Sequence, residues 1–198
     1  GAMVVGGIWS LIKLAKPLML GIRASLESMS QVGKGINIPR EERDFPIQYV
    51  GTALVVLLVP VFLLYAGMID SVGIAALLAV VMMIFGFLFS AVAAYMAGVV
   101  GSSNNPISGV TIATILFASL LLAGLIGTGT GTGAAAAIMV GAVVCCAAAI
   151  GGDNLQDLKT GYILGATPWK QQIMQLVGTI SAAIVLGLVL DILHTAYT

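Results

Sequence analysis

The chain has 198 residues, of which 60% are hydrophobic and 8% are charged, and its formal net charge is zero. A soluble domain carries about a quarter charged residues, so the composition excludes a water-soluble globular domain and indicates an integral membrane protein. No basic stretch is interleaved with aromatic residues, which argues against nucleic acid as a partner.

The N-terminal run 1–12 is apolar from its first residue. It shows neither the positive region nor the clear cleavage site of a signal peptide. Because the run is too short to cross a membrane alone, it is predicted to be the end of a further span, and the chain to be a portion of a longer protein. The segment 18–45 mixes apolar and charged residues and is predicted to be a cytoplasmic loop, with an interfacial helix as the alternative.

The stretch from Phe45 to Gly152 contains Asp70 as its single charged residue. A helix needs about 20 apolar residues to cross the hydrocarbon core, so this stretch predicts several spans separated by turns. Together with one run nearer the C-terminus, the predicted spans are 47–69, 74–100, 106–126, 134–151 and 173–190. The alternating glycines of 127–133 predict a flexible linker between the third and fourth spans.

The predicted fold class is an all-α, polytopic transmembrane helix bundle in one domain, 1–198, with about five to six spans and discontinuous helices at Asn104–Pro106. The runs lack the period-two alternation of barrel strands, which argues against a membrane β-barrel. The 25 glycines and several alanine runs favour close packing of helices, because hydrophobicity does not drive association in lipid.

All eight basic residues are predicted to lie on one side of the membrane. Six precede the first full span and two lie between the fourth and fifth: Lys13, Lys16, Arg23, Lys34, Arg40, Arg43, Lys159 and Lys170. Five alternating spans place both groups on the same face, which the positive-inside rule assigns to the cytoplasm. The expected location is therefore a plasma (inner) membrane with cytoplasmic basic loops.

A polar stretch at 101–109 interrupts two very hydrophobic segments. Proline disfavours the α conformation for the residue before it, so Asn105 before Pro106 predicts a helix break. At membrane depth a break is tolerated where the backbone lines a cavity or is buried in protein, and discontinuous helices bind substrates in many secondary transporters. The break, which contains Asn104, Asn105 and Ser108 and is followed by Thr111, is therefore a candidate ligand-binding segment. The alternative is an ordinary turn with proline at the first helical position.

A second polar segment covers 152–172. If it is helical, Asp153 and Asp157 lie one turn apart on one face, and neighbouring carboxylates disfavour joint ionisation. Acidic residues inside a membrane commonly serve function, so proton coupling is one interpretation. The other is a solvated cytoplasmic helix in which Lys159 offsets the acids.

At these two segments the sequence resembles the oligopeptide transporter family, which includes the yellow-stripe-like metal-chelate carriers. The resemblance rests on Asp153–Tyr162 with Thr167–Gln172, and on Asn104–Gly109, the latter most like the prokaryotic branch. It implies a portion of a proton-coupled importer of oligopeptides or peptide-like metal chelates, completed by further transmembrane helices. The resemblance also implies that Asn104, Asn105 and Ser108 line the substrate path. The positions it implies for gating or coupling are Asp153, Gln156, Asp157, Lys159 and Tyr162.

Two other functions remain as alternatives. Gly151-Gly152-Asp153 superficially resembles an intramembrane aspartyl protease site, but Ile150 stands where that pattern needs glycine. A non-catalytic channel or scaffold subunit is the other alternative. His194 is the single histidine and lies far along the chain from Cys145 and Cys146, so the sequence predicts no metal site. The transporter interpretation implies no cofactor and no enzymatic activity.

Overall fold

The computed structural model describes residues 39–129 and 131–197, together with isolated positions nearer the N-terminus: Trp9, Lys13, Lys16, Met19, Leu20 and Arg23. The described secondary structure is helical. Five long helices follow one another along the chain: α1 (Ile47–Ala66), α2 (Val72–Val100), α3 (Ile107–Ile126), α4 (Gly131–Ile163) and α5 (Pro168–Tyr197). Short 3-10 turns occupy Arg40–Glu42 and Ser102–Asn104.

The predicted all-α membrane bundle is confirmed, because five helices of the described chain are long and apolar enough to cross a membrane. The predicted first three spans match α1, α2 and α3 to within about one helical turn. Helix α4 begins inside the predicted glycine linker and continues well past residue 151, and α5 is longer than its predicted span at both ends. The predicted span end at 1–12 and most of the predicted loop 18–45 lie outside the described residues.

Glycines with positive φ end the second and third helices. Gly101 follows α2 with φ of 87°, and Gly127 follows α3 with φ of 90°. Side chains are strained in this conformation, whereas glycine adopts it readily. Each N–H bonds back to the last helical turn, Gly101 to the carbonyl of Ala97 at 3.0 Å and Gly127 to that of Ala123 at 3.1 Å. Glycine therefore stops each helix while its terminal carbonyls stay paired.

The described chain forms two compact units. The first comprises Gly1–Ile36 and Pro46–Gln156, and the second comprises Asn37–Phe45 and Asp157–Thr198. Helix α4 contributes to both, because the boundary falls between Gln156 and Asp157. The second polar segment, 152–172, is therefore divided between the two units. The whole break and residues 152–156 belong to the first unit.

The core of the first unit gathers along one face of α4. Its buried residues recur every three or four positions and are small: Gly133, Ala136, Ala137, Val140, Gly141, Val144, Ala148 and Gly152. Helices α2 and α3 also contact each other through aromatic rings, since the ring centroids of Phe85 in α2 and Phe117 in α3 lie 4.8 Å apart. These helices, with Tyr65 of α1 fully buried against them, enclose one apolar core.

Two glycines of α4 allow its backbone to approach the neighbouring helices. A Cβ atom at Gly141 would collide with the side chain of Ile115 in α3. A Cβ atom at Gly151 would collide with the hydroxyl of Ser90 in α2 and lie 3.0 Å from its carbonyl oxygen. In lipid, such close approach supplies the packing that holds helices together, so these positions require glycine.

The variant Gly141→Ala should destabilise the helix bundle. The added methyl group forces Ile115 away from α4, and overpacking of this kind costs about 1–3 kcal/mol. Gly124→Ala in α3 is the matched control, because a Cβ there meets no atom within 4 Å in the described part of the chain. The measurement is reversible unfolding in mixed micelles; equal unfolding free energies for the two variants would contradict the assigned contact.

Candidate functional site

The polar break lies between α2 and α3, where the Asn-Pro pair predicted it. Helix α2 ends at Val100, the 3-10 turn occupies Ser102–Asn104, and α3 starts at Ile107. The backbone of the break is folded onto itself: Asn105 N–H donates to the Ser102 carbonyl at 3.2 Å, and Ile107 N–H donates to the Asn105 carbonyl at 2.8 Å. Both backbone polar groups of Asn105 are thus paired within the turn.

The two neighbouring asparagines of the break have different environments. Asn104 is exposed, and its Nδ2 donates to the Val100 carbonyl at 3.4 Å. The Nδ2 and Oδ1 atoms of Asn105 are both buried and have no hydrogen-bond partner among the residues that the structure describes. Burying an amide without a partner is costly, about 1–3 kcal/mol. Asn105 is therefore the polar side chain of the break whose hydrogen-bonding capacity is unused.

Helix α4 meets the break through glycine. A Cβ atom at Gly152 would lie 2.6 Å from Nδ2 of Asn105 and 3.4 Å from Cβ of Ala97. One turn further along α4, Cδ2 of Leu155 is 3.0 Å from the position of a Cβ at Gly98, and Nε2 of Gln156 lies 3.9 Å from one at Gly101. The structure thus brings the break and the first residues of the second polar segment together within the first unit.

The other candidate residues of the first unit lie near the surface of the described chain. Ser108, Asp153 and Gln156 are exposed. Thr111 is partly buried, and its hydroxyl donates to the Ile107 carbonyl at 2.9 Å, one turn earlier in α3. The hydroxyl proton of Thr111 is used in this hydrogen bond, whereas its hydroxyl oxygen can still accept another one.

The second unit positions Asp157 at the end of α4 beside the start of α5. The Asp157 carbonyl accepts a hydrogen bond from Nε2 of Gln171 at 3.3 Å, and its carboxylate accepts one from Nε2 of Gln175 at 3.5 Å. Gln171 lies directly over Gly161, where a Cβ atom would collide with the carboxamide. Gly161 thereby lets a glutamine from α5 reach the backbone of α4.

Two further candidates lie in the last turns of α4. Lys159 and Tyr162 are exposed, and Nζ of Lys159 lies 5.1 Å from the centroid of the Tyr162 ring. This is a cation–π distance. The lysine thus contacts an aromatic ring on its own helix, one turn away.

The segment before α1 docks on the turn between α4 and α5 within the second unit. Nη2 of Arg40 donates to the Gly165 carbonyl at 2.7 Å, and Trp169 N–H donates to the Arg43 carbonyl at 3.1 Å. Phe45 N–H donates to Oε1 of Gln172 at 2.9 Å. The described end of the predicted loop 18–45 is therefore bound to a turn far along the chain.

Sequence reasoning missed the glycines that bring these segments together: Gly98, Gly151, Gly152 and Gly161. It also missed that Gln171 donates to the Asp157 carbonyl, whereas Gln172 accepts from Phe45 N–H. The sequence offered one signal, a Gly-Gly pair directly before Asp153 where an apolar run becomes polar. Within residues 39–129 and 131–197, no three His, Cys, Asp or Glu side chains cluster as metal ligands.

The contact between Gly152 and Asn105 can be tested by a double-mutant cycle. Gly152→Ala should cost about 1–3 kcal/mol of unfolding free energy because the methyl group overlaps the Asn105 amide. In an Asn105→Ala background that cost should shrink, because the obstructing amide is gone.

Gly86→Ala in α2 serves as the control for the cycle, since a Cβ there meets no atom within 4 Å in the described residues. Its effect should be the same with or without the Asn105 side chain. Additive effects of Gly152→Ala and Asn105→Ala in mixed-micelle unfolding would show that the two positions do not touch.

Comparison with known proteins assigns the chain to a family. The family model described as OPT oligopeptide transporter protein matches residues 1–198. A Haemophilus influenzae protein named "Putative oligopeptide transporter" is 34% identical over 216 aligned residues. The alignment covers 100% of this chain, which spans 34% of the length of that relative. No solved structure matches the chain significantly. The chain therefore belongs to the OPT oligopeptide transporter family, whose members are membrane transporters rather than enzymes.

Proposed function

We propose that the full-length protein imports oligopeptides, or peptide-like metal chelates, together with protons, and that this chain supplies five of its membrane spans and part of its substrate route. The observation that carries the proposal is the contact at the polar break. There, the unpaired carboxamide of Asn105 lies against Gly152 of α4. Polar groups between spans are expected where a transporter lines a path for a hydrophilic substrate.

The substrate route is proposed to follow the break and the first turn of α3. Asn104, Asn105, Ser108 and Thr111 provide amides and hydroxyls there, without any charge. Neutral donors and acceptors suit a peptide, whose backbone offers the same groups at every residue. Family membership supports peptides as the substrate class, and the chelate alternative rests on the same backbone chemistry.

Proton coupling is assigned to the polar part of α4. Its acids, Asp153 and Asp157, lie four residues apart in one continuous helix, and Gln156, Lys159 and Tyr162 lie in the same turns. A carboxylate in a membrane transporter can take up and release a proton during the cycle. The carboxylate of Asp157 already has a neutral partner, Gln175, which can bond to it in either protonation state because an amide both donates and accepts.

The basic side of the chain is proposed to face the cytoplasm of the plasma (inner) membrane. The positive-inside rule supports this orientation. Hydrogen bonds within the second unit also support it. Arg40 donates to the Gly165 carbonyl and Trp169 N–H donates to the Arg43 carbonyl, so the basic segment before α1 lies against the turn that joins α4 to α5. The same orientation places the polar break on the cytoplasmic side of α2 and α3.

The full-length protein in proteoliposomes should accumulate a labelled oligopeptide when an inward proton gradient is imposed. Accumulation should collapse on adding a protonophore, because the gradient is the energy source. Wild-type protein without a gradient is the control. Equilibration of the peptide at the same rate with and without the gradient would indicate a channel and contradict symport.

Asp157→Asn should reduce gradient-driven accumulation more than Asp191→Asn does. Asparagine keeps the size of Asp157 and one acceptor oxygen but cannot bind a proton. Asp191 is the control because it is also acidic, but it lies near the end of α5 predicted to face away from the basic loops. The ratio of accumulation with and without the gradient is the measurement, and equal losses in the two variants would remove the assignment from α4.

A further inference from the structure

We propose that the side-chain carboxamide of Asn105 binds a backbone amide of the peptide substrate, so that the protein recognises the peptide linkage itself; this rests on the proposed function. The site consists of Asn105 with two glycines beside it, Gly101 and Gly152. The ligand class is an unmodified peptide group that presents one N–H donor and one carbonyl acceptor side by side.

The hydrogen-bonding state of Asn105 points to a ligand with both functions. Its backbone N–H and carbonyl are already bonded at 3.2 and 2.8 Å, so the turn itself is complete without the side chain. Its Nδ2 and Oδ1 have no partner in the described part of the chain, and both are buried. The same planar group therefore carries an unused donor and an unused acceptor. A ligand that presents an acceptor and a donor side by side can bond to both.

A peptide group has that geometry. The carboxamide Nδ2 can donate to the peptide carbonyl while Oδ1 accepts from the peptide N–H, which gives two bonds between planar amides. An ester at the same linkage keeps the carbonyl but replaces the N–H by oxygen, and so cannot supply the second bond. Sites built to bond a substrate N–H discriminate against analogues that lack it, because a buried acceptor is left unpaired.

The neighbouring glycines leave space for a peptide backbone. Gly152 lies against Nδ2 of Asn105 so closely that a Cβ there would be 2.6 Å from the nitrogen. A small separation of α4 from the break at this point uncovers the carboxamide, and a ligand backbone takes the place of the Gly152 contact. At Gly101, a Cβ atom would lie 3.9 Å from Nε2 of Gln156, which is ordinary van der Waals contact. Backbone can approach backbone closely at both positions because neither carries a side chain.

Asn104 provides the internal comparison. It is the same residue type in the same turn, but it is exposed and its Nδ2 already donates to the Val100 carbonyl. The proposal therefore assigns amide recognition to one asparagine of the pair and not to the other.

The test measures binding of a tripeptide and of its two ester analogues, each with one linkage changed from amide to ester, to the purified full-length protein in detergent. For one of the two linkages, the wild-type protein should bind the amide about tenfold more tightly than the ester, the order of magnitude expected for one hydrogen bond. Asn105→Leu should lower affinity for the tripeptide more than for the ester, because the amide loses two hydrogen bonds and the ester loses one, so that the preference for the amide disappears. Asn105→Asp loses the donor to the substrate carbonyl, which both ligands carry, but keeps an acceptor for the peptide N–H. It should therefore weaken binding of both ligands and retain the preference for the amide.

Asn104→Leu should keep the ratio of amide to ester affinity. Equal binding of amide and ester by the wild-type protein would overturn the proposal, as would an undiminished preference in Asn105→Leu. An equal fold loss of both ligands in Asn105→Leu is such an undiminished preference, and it would assign Asn105 a packing role or a bridging water instead of amide recognition. Because binding is measured without a proton gradient, failure of symport in proteoliposomes would contradict the proposed coupling without deciding this assignment.

Discussion

Close backbone approach along one face of α4 is the constraint on which the rest of the first unit depends. In hydrocarbon, apolar side chains gain nothing by leaving lipid for one another, so helices associate where small residues let their backbones pack. The buried face of α4 is built from glycine, alanine and valine from Gly133 to Gly152. Ile115 and Ser90 occupy the space that larger side chains would need.

The same contact creates the candidate site. Where the small face of α4 reaches its polar end, it meets the last turns of α2 and also the turn between α2 and α3. Gly152 there covers the Asn105 amide, and Leu155 packs over Gly98. A buried polar group without a partner opposes this packing, and Asn105 is such a group at the polar end of the interface.

The sequence was sufficient to predict the spans and the break. Long uncharged runs can cross a bilayer only as helices or closed barrels. Pro106 disfavours the α conformation at Asn105, and this effect is local and does not depend on tertiary packing. It did not decide whether 152–163 was helical, because Asp, Asn, Gln and Lys are tolerated in helices and loops alike. In the structure α4 continues through these residues, and the turn falls at Gly165, where φ is positive.

The glycine contacts could not be predicted, because the meaning of a glycine depends on what lies opposite. The chain has 25 glycines; Gly124 and Gly141 both lie inside long apolar runs, yet only a Cβ at Gly141 would meet a neighbouring side chain in the described structure. The difference between Asn104 and Asn105 is hidden for the same reason. The roles of Asp153, Asp157 and their neighbours in proton coupling stay predictions. Coupling involves several conformations of a transport cycle, whereas the structure describes one.

Cross-linking in the membrane tests the central contact most directly. After replacement of Cys145 and Cys146, cysteines at Gly98 and Leu155 should form a cross-link within the full-length protein on mild oxidation, because these positions touch in the first unit. Cysteines at Gly124 and Leu155, at opposite ends of the α3–α4 contact, should not. Cross-linking of neither pair, or of both to the same extent, would contradict an α4 helix packed along its small face with its polar end against the break.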